Sequence, residues 1–224
     1  AWDPVQAVQS ADPVEAAAAS DVMAAGIQVQ NTIIQAAAVL EGASSISQQA
    51  AFTAIVDALS TSLESSGVST DLTDSAQIQL VLGAAATSAG LGGAERDTVT
   101  QAADEAASII TSSNTAVSDA LASGAAGSAL LGELAQVALV SQGSAASQLE
   151  AAVESGDQAT LDAATSDFTG ANLTNAVTSA AANIGDVDGA DIGTAADDTL
   201  SGSDGSDRIV GLAGNDVIDG GAGN

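Results

Sequence analysis

The sequence predicts a mainly α fold, in which an Ala-rich bundle of about seven or eight helices precedes a short repeat segment. Hydrophobic residues make up 46% of the chain and aromatic residues only 1%, and the abundant Ala favours helix. Before residue 185, apolar residues recur at spacings of three and four, as along one face of a helix. The last thirty-two residues recur every nine instead. We therefore expect a helical domain over 1–185, a linker over 186–192 and repeats over 193–224.

Stripes of apolar residues locate the individual helices. Each stripe steps by three or four residues, which places its members on one face that packs into the core. The predicted core positions are Val22, Gly26, Val29, Ile33, Ala36, Leu40, Phe52, Val56, Leu59, Leu63, Ile78, Leu82, Ala85, Ala89, Val99, Ala103, Ala106, Ile110, Val117, Leu121, Leu130, Leu134, Val137, Leu173, Val177, Ala180 and Ile184.

Capping residues mark the ends of these helices. Asp3 before Pro4 and Asp12 before Pro13 predict helix starts, because Asp caps the first turn and proline tolerates the first helical position. Ser45 with Gln48 predicts a capping box, and Asp74 after Thr73 predicts another start. Left-handed ends are expected at five glycines. These are Gly42, Gly67, Gly90, Gly143 and Gly156.

The charge balance limits the classes of partner. The chain has a net charge of −27, from 29 acidic and 2 basic residues. Nucleic acid is not expected as a partner, because binding phosphates requires several Lys or Arg. Repulsion among the carboxylates would be relieved by divalent cations or by a salty medium. Calcium is therefore a natural partner, and a halophilic origin is an alternative explanation of the acidity.

The residue types also argue against catalysis. The chain has no His, Cys, Tyr or Lys, which are residue types often recruited for acid–base chemistry near neutral pH. The carboxylate pairs Asp104 with Glu105 and Asp119 with Glu133 remain, but a solvated acidic helix face is the favoured interpretation. We expect no enzyme activity in this chain.

Two uncharged windows, 22–40 and 75–94, are long enough to span a membrane. The first contains several Gln, Asn and Thr residues, and the second consists mostly of small residues. We therefore expect soluble helices and no membrane span.

The C-terminal segment can be written in register from Gly193 as GTAADDTLS, GSDGSDRIV, GLAGNDVID and GGAGN. Aspartates, apolar residues and leading glycines each recur nine residues apart. These columns are Asp198, Asp207, Asp216; Leu200, Ile209, Ile218; and Gly193, Gly202, Gly211, Gly220. Three columns with one period predict a stack of equivalent coils.

Each repeat has residue types that suit calcium. Glycine allows turns with positive φ, so that backbone carbonyls can point at a cation, and Asp adds a hard anionic oxygen. Calcium takes about six to eight such oxygens. The apolar residue of each following strand is expected to point into the coil, and one coil needs stacked neighbours. The predicted metal-binding residues are Asp198, Asp207, Asp216, Gly202, Gly205, Gly211 and Gly214.

The pattern GGxGxDxUx resembles the repeats-in-toxin (RTX, hemolysin-type) calcium-binding family. This resemblance implies a parallel β-roll with alternate repeats on the same side, so that one calcium ion would join Asp198 to Asp216. Asp207 would form half of a second site with the coil that opens at Gly220. The resemblance also implies export by a one-step secretion system that reads a C-terminal signal, expected beyond Asn224.

A flexible acidic linker is the alternative for this tail, but three columns in phase favour the repeats. The second position departs from Gly at Thr194, Ser203 and Leu212, and Ala196 replaces the fourth-position Gly of the first repeat, which makes that repeat the weakest site. Upstream, the acidic residues around Gly189 also suggest a calcium loop, although a linker is favoured there. They are Asp186, Asp188 and Asp191.

These observations predict a secreted calcium-binding structural module of a large bacterial surface or matrix protein, such as an adhesin, surface-layer or biofilm component. Its expected partners are calcium ions and a second copy or a cell-surface partner. The alternative is the helical and RTX portion of an exported toxin or hydrolase whose catalytic domain lies elsewhere. The opening AWDPV and the ending within a repeat predict a piece of a larger protein.

Overall fold

The structure is a computed structural model, and it describes residues 2–66, 71–184, 191–192, 199–202, 209–210, 215 and 217–221. A π-helical turn, Val140–Ala145, joins two helices without a break, so these residues hold eight continuous helical segments. The predicted mainly α bundle and its number of helices are confirmed. The helices are α1 (Pro4–Ala7), α2 (Pro13–Ala43), α3 (Gln48–Ser66), α4 (Ser75–Ser88), α5 (Gly93–Ala122), α6 (Ser128–Leu139), α7 (Ala146–Ser155), α8 (Gln158–Asp167) and α9 (Gly170–Ile184).

Aspartate caps begin the helices largely where the sequence predicts. The Oδ1 atoms of Asp3, Asp12 and Asp74 each accept from a backbone N–H two residues later, over 2.9 Å in all three cases. The predicted capping box at Ser45 is wrong. Ser47 caps the helix instead, because α3 begins at Gln48 and the Ala50 N–H donates to Ser47 Oγ over 3.3 Å.

The predicted glycine ends are only partly confirmed. Gly90 and Gly156 follow helices with φ of +68° and +63°, the left-handed conformation that glycine favours. Gly42 lies inside α2, and Gly143 lies inside the π-helical turn, so neither ends a helix. Gly67 lies outside the described residues.

The core is built around α2, which packs against α3, α5 and α7. Six consecutive residues, Gln35 to Leu40, are buried, so α2 is enclosed on all sides near its C-terminal end. The predicted stripe is wrong in its first half, where Val22 and Val29 are 51% and 41% exposed. Alanine lies on several faces of α2, so the spacing of its apolar residues does not identify the face that is buried.

The other stripes have mixed outcomes. In α3, Val56 and Leu63 are exposed, and Ala51, Ala54 and Ile55 are buried instead. The stripes of α4, α5 and α6 are confirmed by buried large residues. Among these are Ile78, Leu82, Val99, Ile110, Leu130 and Leu134.

Among the described residues, one helix, α2, has the length and the apolar composition needed to cross a membrane. In its most apolar stretch of 18 residues, 44% of that stretch is buried inside the protein. Core helices of soluble proteins pass the same test, so the expectation of no membrane span stays a prediction.

Residues near the C-terminus form short strands: β1 (Asp191–Ile192), β2 (Thr199–Ser201), β3 (Ile209–Val210) and β4 (Val217–Asp219). They pair as two parallel two-stranded sheets, β1 with β3 and β2 with β4. The chain divides into two compact units, 1–177 and 178–224, and all four strands belong to the second.

Candidate metal centre

The strands occupy equivalent positions in successive nine-residue repeats. β2 and β4 each occupy the three residues that follow a predicted calcium-binding aspartate, and β3 occupies two residues of the same phase. This placement confirms the short strand predicted after each aspartate. β1 lies within the residues expected to be linker, so strand pairing already begins at Asp191.

The register of the sheets pairs alternate repeats. Thr199 pairs with Val217 and Leu200 with Ile218, so partners are separated by eighteen residues, or two repeats. β1 and β3 have the same separation, since Asp191 pairs with Ile209. Successive repeats therefore alternate between two parallel sheets, which is the start of the predicted parallel β-roll.

Backbone contacts continue from the strands into the following turns. The Gly202 N–H donates to the Asp219 carbonyl over 2.6 Å, which extends the β2–β4 pairing by one residue. Asp219 Oδ1 then accepts from the Gly221 N–H over 3.1 Å. Gly221 has a φ of +69°, a conformation that a side chain with a Cβ rarely adopts. This residue takes the second position of its repeat, where the motif has glycine and the three preceding repeats do not.

The apolar residues of the strands are only partly buried. Leu200 is half-buried between exposed Thr199 and Ser201, and Ile209 is also half-buried. Ile218 is 52% exposed although it is in register with Leu200, so its place inside the coil stays a prediction. Within the described residues β4 pairs with β2 alone, and a single neighbouring strand covers little of its side chains.

Most of the predicted metal-binding residues, namely Asp198, Asp207, Asp216, Gly205, Gly211 and Gly214, lie outside the described residues. Gly202 is described, and it lies directly after β2. Within the described part of the chain, no three carboxylates are close enough to hold a metal ion. Asp219, which lies outside the predicted aspartate column, accepts backbone hydrogen bonds from Gly202 and Gly221 beside these turns.

Comparison with known families locates the repeats independently. Residues 192–224 match the family model of the RTX calcium-binding nonapeptide repeat, which comprises four copies. RTX repeats bind calcium, so calcium is the cofactor of this segment, and proteins with such repeats are typically secreted. No curated protein and no solved structure matches the chain.

Proposed function

We propose that this chain is a secreted, non-catalytic structural module whose C-terminal coils are held together by calcium. The observation that carries the proposal is the eighteen-residue register of both sheets. If the β2–β4 register continued by one residue toward the N-terminus, position 198 would pair with position 216. Both positions are aspartates, so two carboxylates of alternate repeats would share one ion.

The remaining oxygens would come from the turns. Backbone carbonyls at Gly211 and Gly214 are proposed as further ligands of this ion, and those at Gly202 and Gly205 as ligands on the side of Asp207, since calcium readily accepts carbonyl oxygens. Asp207 would contribute to a separate ion on the opposite side of the roll. Binding would also offset part of the net charge of −27, because each shared ion neutralises two carboxylates.

An extracellular location fits the expected affinity. Calcium sites of extracellular modules have dissociation constants of about 10⁻⁴ to 10⁻³ M, which would leave these coils unoccupied at cytosolic calcium levels. We therefore propose that the repeats fold after export and that the module belongs to a cell-surface or matrix protein, such as an adhesin or biofilm component. Recovery of the native protein in the cytosolic fraction alone would contradict this location.

Calcium titration of the intact chain tests the proposal. In chelator, far-UV circular dichroism should already show the helices, because aspartate caps and a largely apolar core hold the described helices. Calcium should add strand signal and protect the chain after Gly193 from proteolysis, whereas equimolar magnesium should do so poorly, because magnesium demands a tighter octahedral site. No change with calcium would refute the proposed folding.

A matched pair of variants tests the ligand register. Asp216→Ala removes a predicted ligand, and Asp204→Ala removes an equal charge from a variable position of the neighbouring repeat. We expect Asp216→Ala to weaken calcium binding several-fold more than Asp204→Ala. Equal effects would mean that charge alone, and not the register, determines binding.

A further inference from the structure

Six polar side chains are fully buried inside the helical unit, each with 0% exposure, and we call this set the polar layer. Its members come from α2, α5 and the π-helical turn, and none of them is charged. They are Asn31, Thr32, Gln35, Ser113, Asn114 and Ser141. Burying polar atoms is unfavourable unless they are hydrogen-bonded, so the partners of this layer require an explanation.

Hydrogen bonds join the layer across the helices. Gln35 Nε2 donates to Ser113 Oγ, and Asn114 Nδ2 donates to Thr32 Oγ1, both over 3.0 Å. These two bonds connect α2 to α5. Gln142, in the π-helical turn, donates its Nε2 to Asn31 Oδ1 over 3.0 Å and connects that turn to α2.

Four buried atoms of the layer have no partner among the described residues. They are Asn31 Nδ2, Gln35 Oε1, Asn114 Oδ1 and Ser141 Oγ. The orientation of the Asn114 amide is fixed, because its Nδ2 also donates to the Leu72 carbonyl over 2.9 Å, and a carbonyl can only accept. Asn114 Oδ1 is therefore an acceptor that lacks a donor.

The segments that carry these atoms pack against one another, since the π-helical turn contacts both α2 and α5. Asn31 and Gln35 are four residues apart on α2, so their side chains are neighbours on one face. Ser141 directly precedes Gln142, which bonds to Asn31. π-Helical turns of this kind occur frequently at functional sites.

The absence of charged side chains from the layer selects the ligand. An ion would find no counter-charge among these six residues, and burying an unpaired ion is far more unfavourable than burying a neutral molecule. A water molecule can donate two hydrogen bonds and accept up to two, and buried waters typically make about three bonds to otherwise unpaired groups. We propose that the polar layer is an internal hydration site that binds at least one long-lived water between α2, α5 and the π-helical turn.

Nuclear magnetic resonance on the intact chain tests this directly. Cross-relaxation between water and the Asn31 side-chain amide should be detected, and water ¹⁷O relaxation dispersion should show at least one long-lived water. Gln35→Met combined with Ser141→Ala should lose that signal. Gln30→Met, an exposed position on the same helix, should retain it. Absence of the signal in the unaltered chain, or its persistence in the double variant, would overturn the proposal.

Thermal unfolding gives a second test, because a hydrated and a dry Ser141 predict opposite changes in Tm. If Ser141 Oγ binds water, Ser141→Ala removes a satisfied group and should lower Tm. If the hydroxyl is dry, the same substitution removes an unpaired buried group and should raise Tm. A raised Tm would therefore contradict hydration at Ser141.

Discussion

The backbone of Gly42 in α2 passes so close to α7 that a Cβ at this position would lie 2.5 Å from the carbonyl oxygen of Glu150. Real side chains do not approach a backbone carbonyl this closely, and the carbonyl belongs to a helix that cannot shift alone. Glycine at position 42 therefore sets the separation of α2 and α7, which is a packing role and not the helix-ending role that its sequence position suggests.

Gly42→Ala should lower the free energy of unfolding by about 1–3 kcal/mol through overpacking. Gly26→Ala is the matched control in the same helix, since nothing lies within 4 Å of a Cβ there. The control should gain about 0.5–1 kcal/mol, because alanine favours the interior of a helix more than glycine does. Urea denaturation of both variants measures the difference, and a stabilised Gly42→Ala variant would contradict the close approach.

Acid should stabilise the bundle through Glu41. Burial, and then the neighbouring carboxylate of Glu150, raise the pKa of Glu41 above its ordinary value. A raised folded-state pKa gives a contribution to stability that is present at low pH and is lost as pH rises through that pKa.

Glu41→Gln should therefore raise Tm at neutral pH, and the difference from the unaltered chain should shrink as the pH falls below the ordinary Glu pKa. Glu64→Gln, an exposed substitution in α3, should give a smaller change. A Tm difference for Glu41→Gln that is independent of pH would argue against this explanation.

Asp71 should show the opposite pH dependence. The Thr73 side-chain hydroxyl and its backbone N–H donate to Asp71 Oδ1 over 2.6 and 2.9 Å, and they lower the pKa of Asp71. The contribution of Asp71 to stability is therefore present above its ordinary pKa and is lost as pH falls through the lowered value.

Thr73→Val removes the hydroxyl donor and should move the pKa of Asp71 back toward its ordinary value. Carboxyl resonances followed by nuclear magnetic resonance during a pH titration measure this shift. Thr100→Val removes a hydroxyl that donates elsewhere, to the Arg96 carbonyl, and should leave Asp71 unchanged. An unchanged Asp71 in Thr73→Val would show that the hydroxyl does not set its pKa.

The eighteen-residue register can be tested by disulfide formation, because the chain contains no cysteine. Thr199→Cys with Val217→Cys places two thiols at paired positions, at the strand spacing of about 4.8 Å that a disulfide accepts. Ser201→Cys with Val210→Cys is the control, since these residues belong to different sheets.

In calcium, the first pair should crosslink within the monomer under mild oxidation, and the control pair should remain reduced. Mass spectrometry after proteolysis identifies the bond. Preferential crosslinking of the control pair would indicate pairing of adjacent repeats and not of alternate ones.

Local chemistry explains which predictions are confirmed. Asp12 followed by Pro13 fixes a helix start, because the cap and the proline act within one turn of backbone. The nine-residue period likewise predicts where β2, β3 and β4 lie, since each occupies the last residues of its repeat. Their positions can be read from the local sequence, although the strands form only by pairing with a partner eighteen residues away.

The tertiary structure alone decided which faces are covered. Val22 and Ala36 belong to one predicted stripe of α2, yet Val22 is exposed and Ala36 is buried. Gln35 and Asn114 are of residue types that are mostly exposed in proteins, yet both lie fully buried, because each has a hydrogen-bond partner on the opposite helix. The sequence by itself determined the helices and the period of the repeats, since both arise from neighbouring residues. Burial, the close approach at Gly42 and the polar layer depend on residues far apart in the chain, and only the assembled helices bring them together.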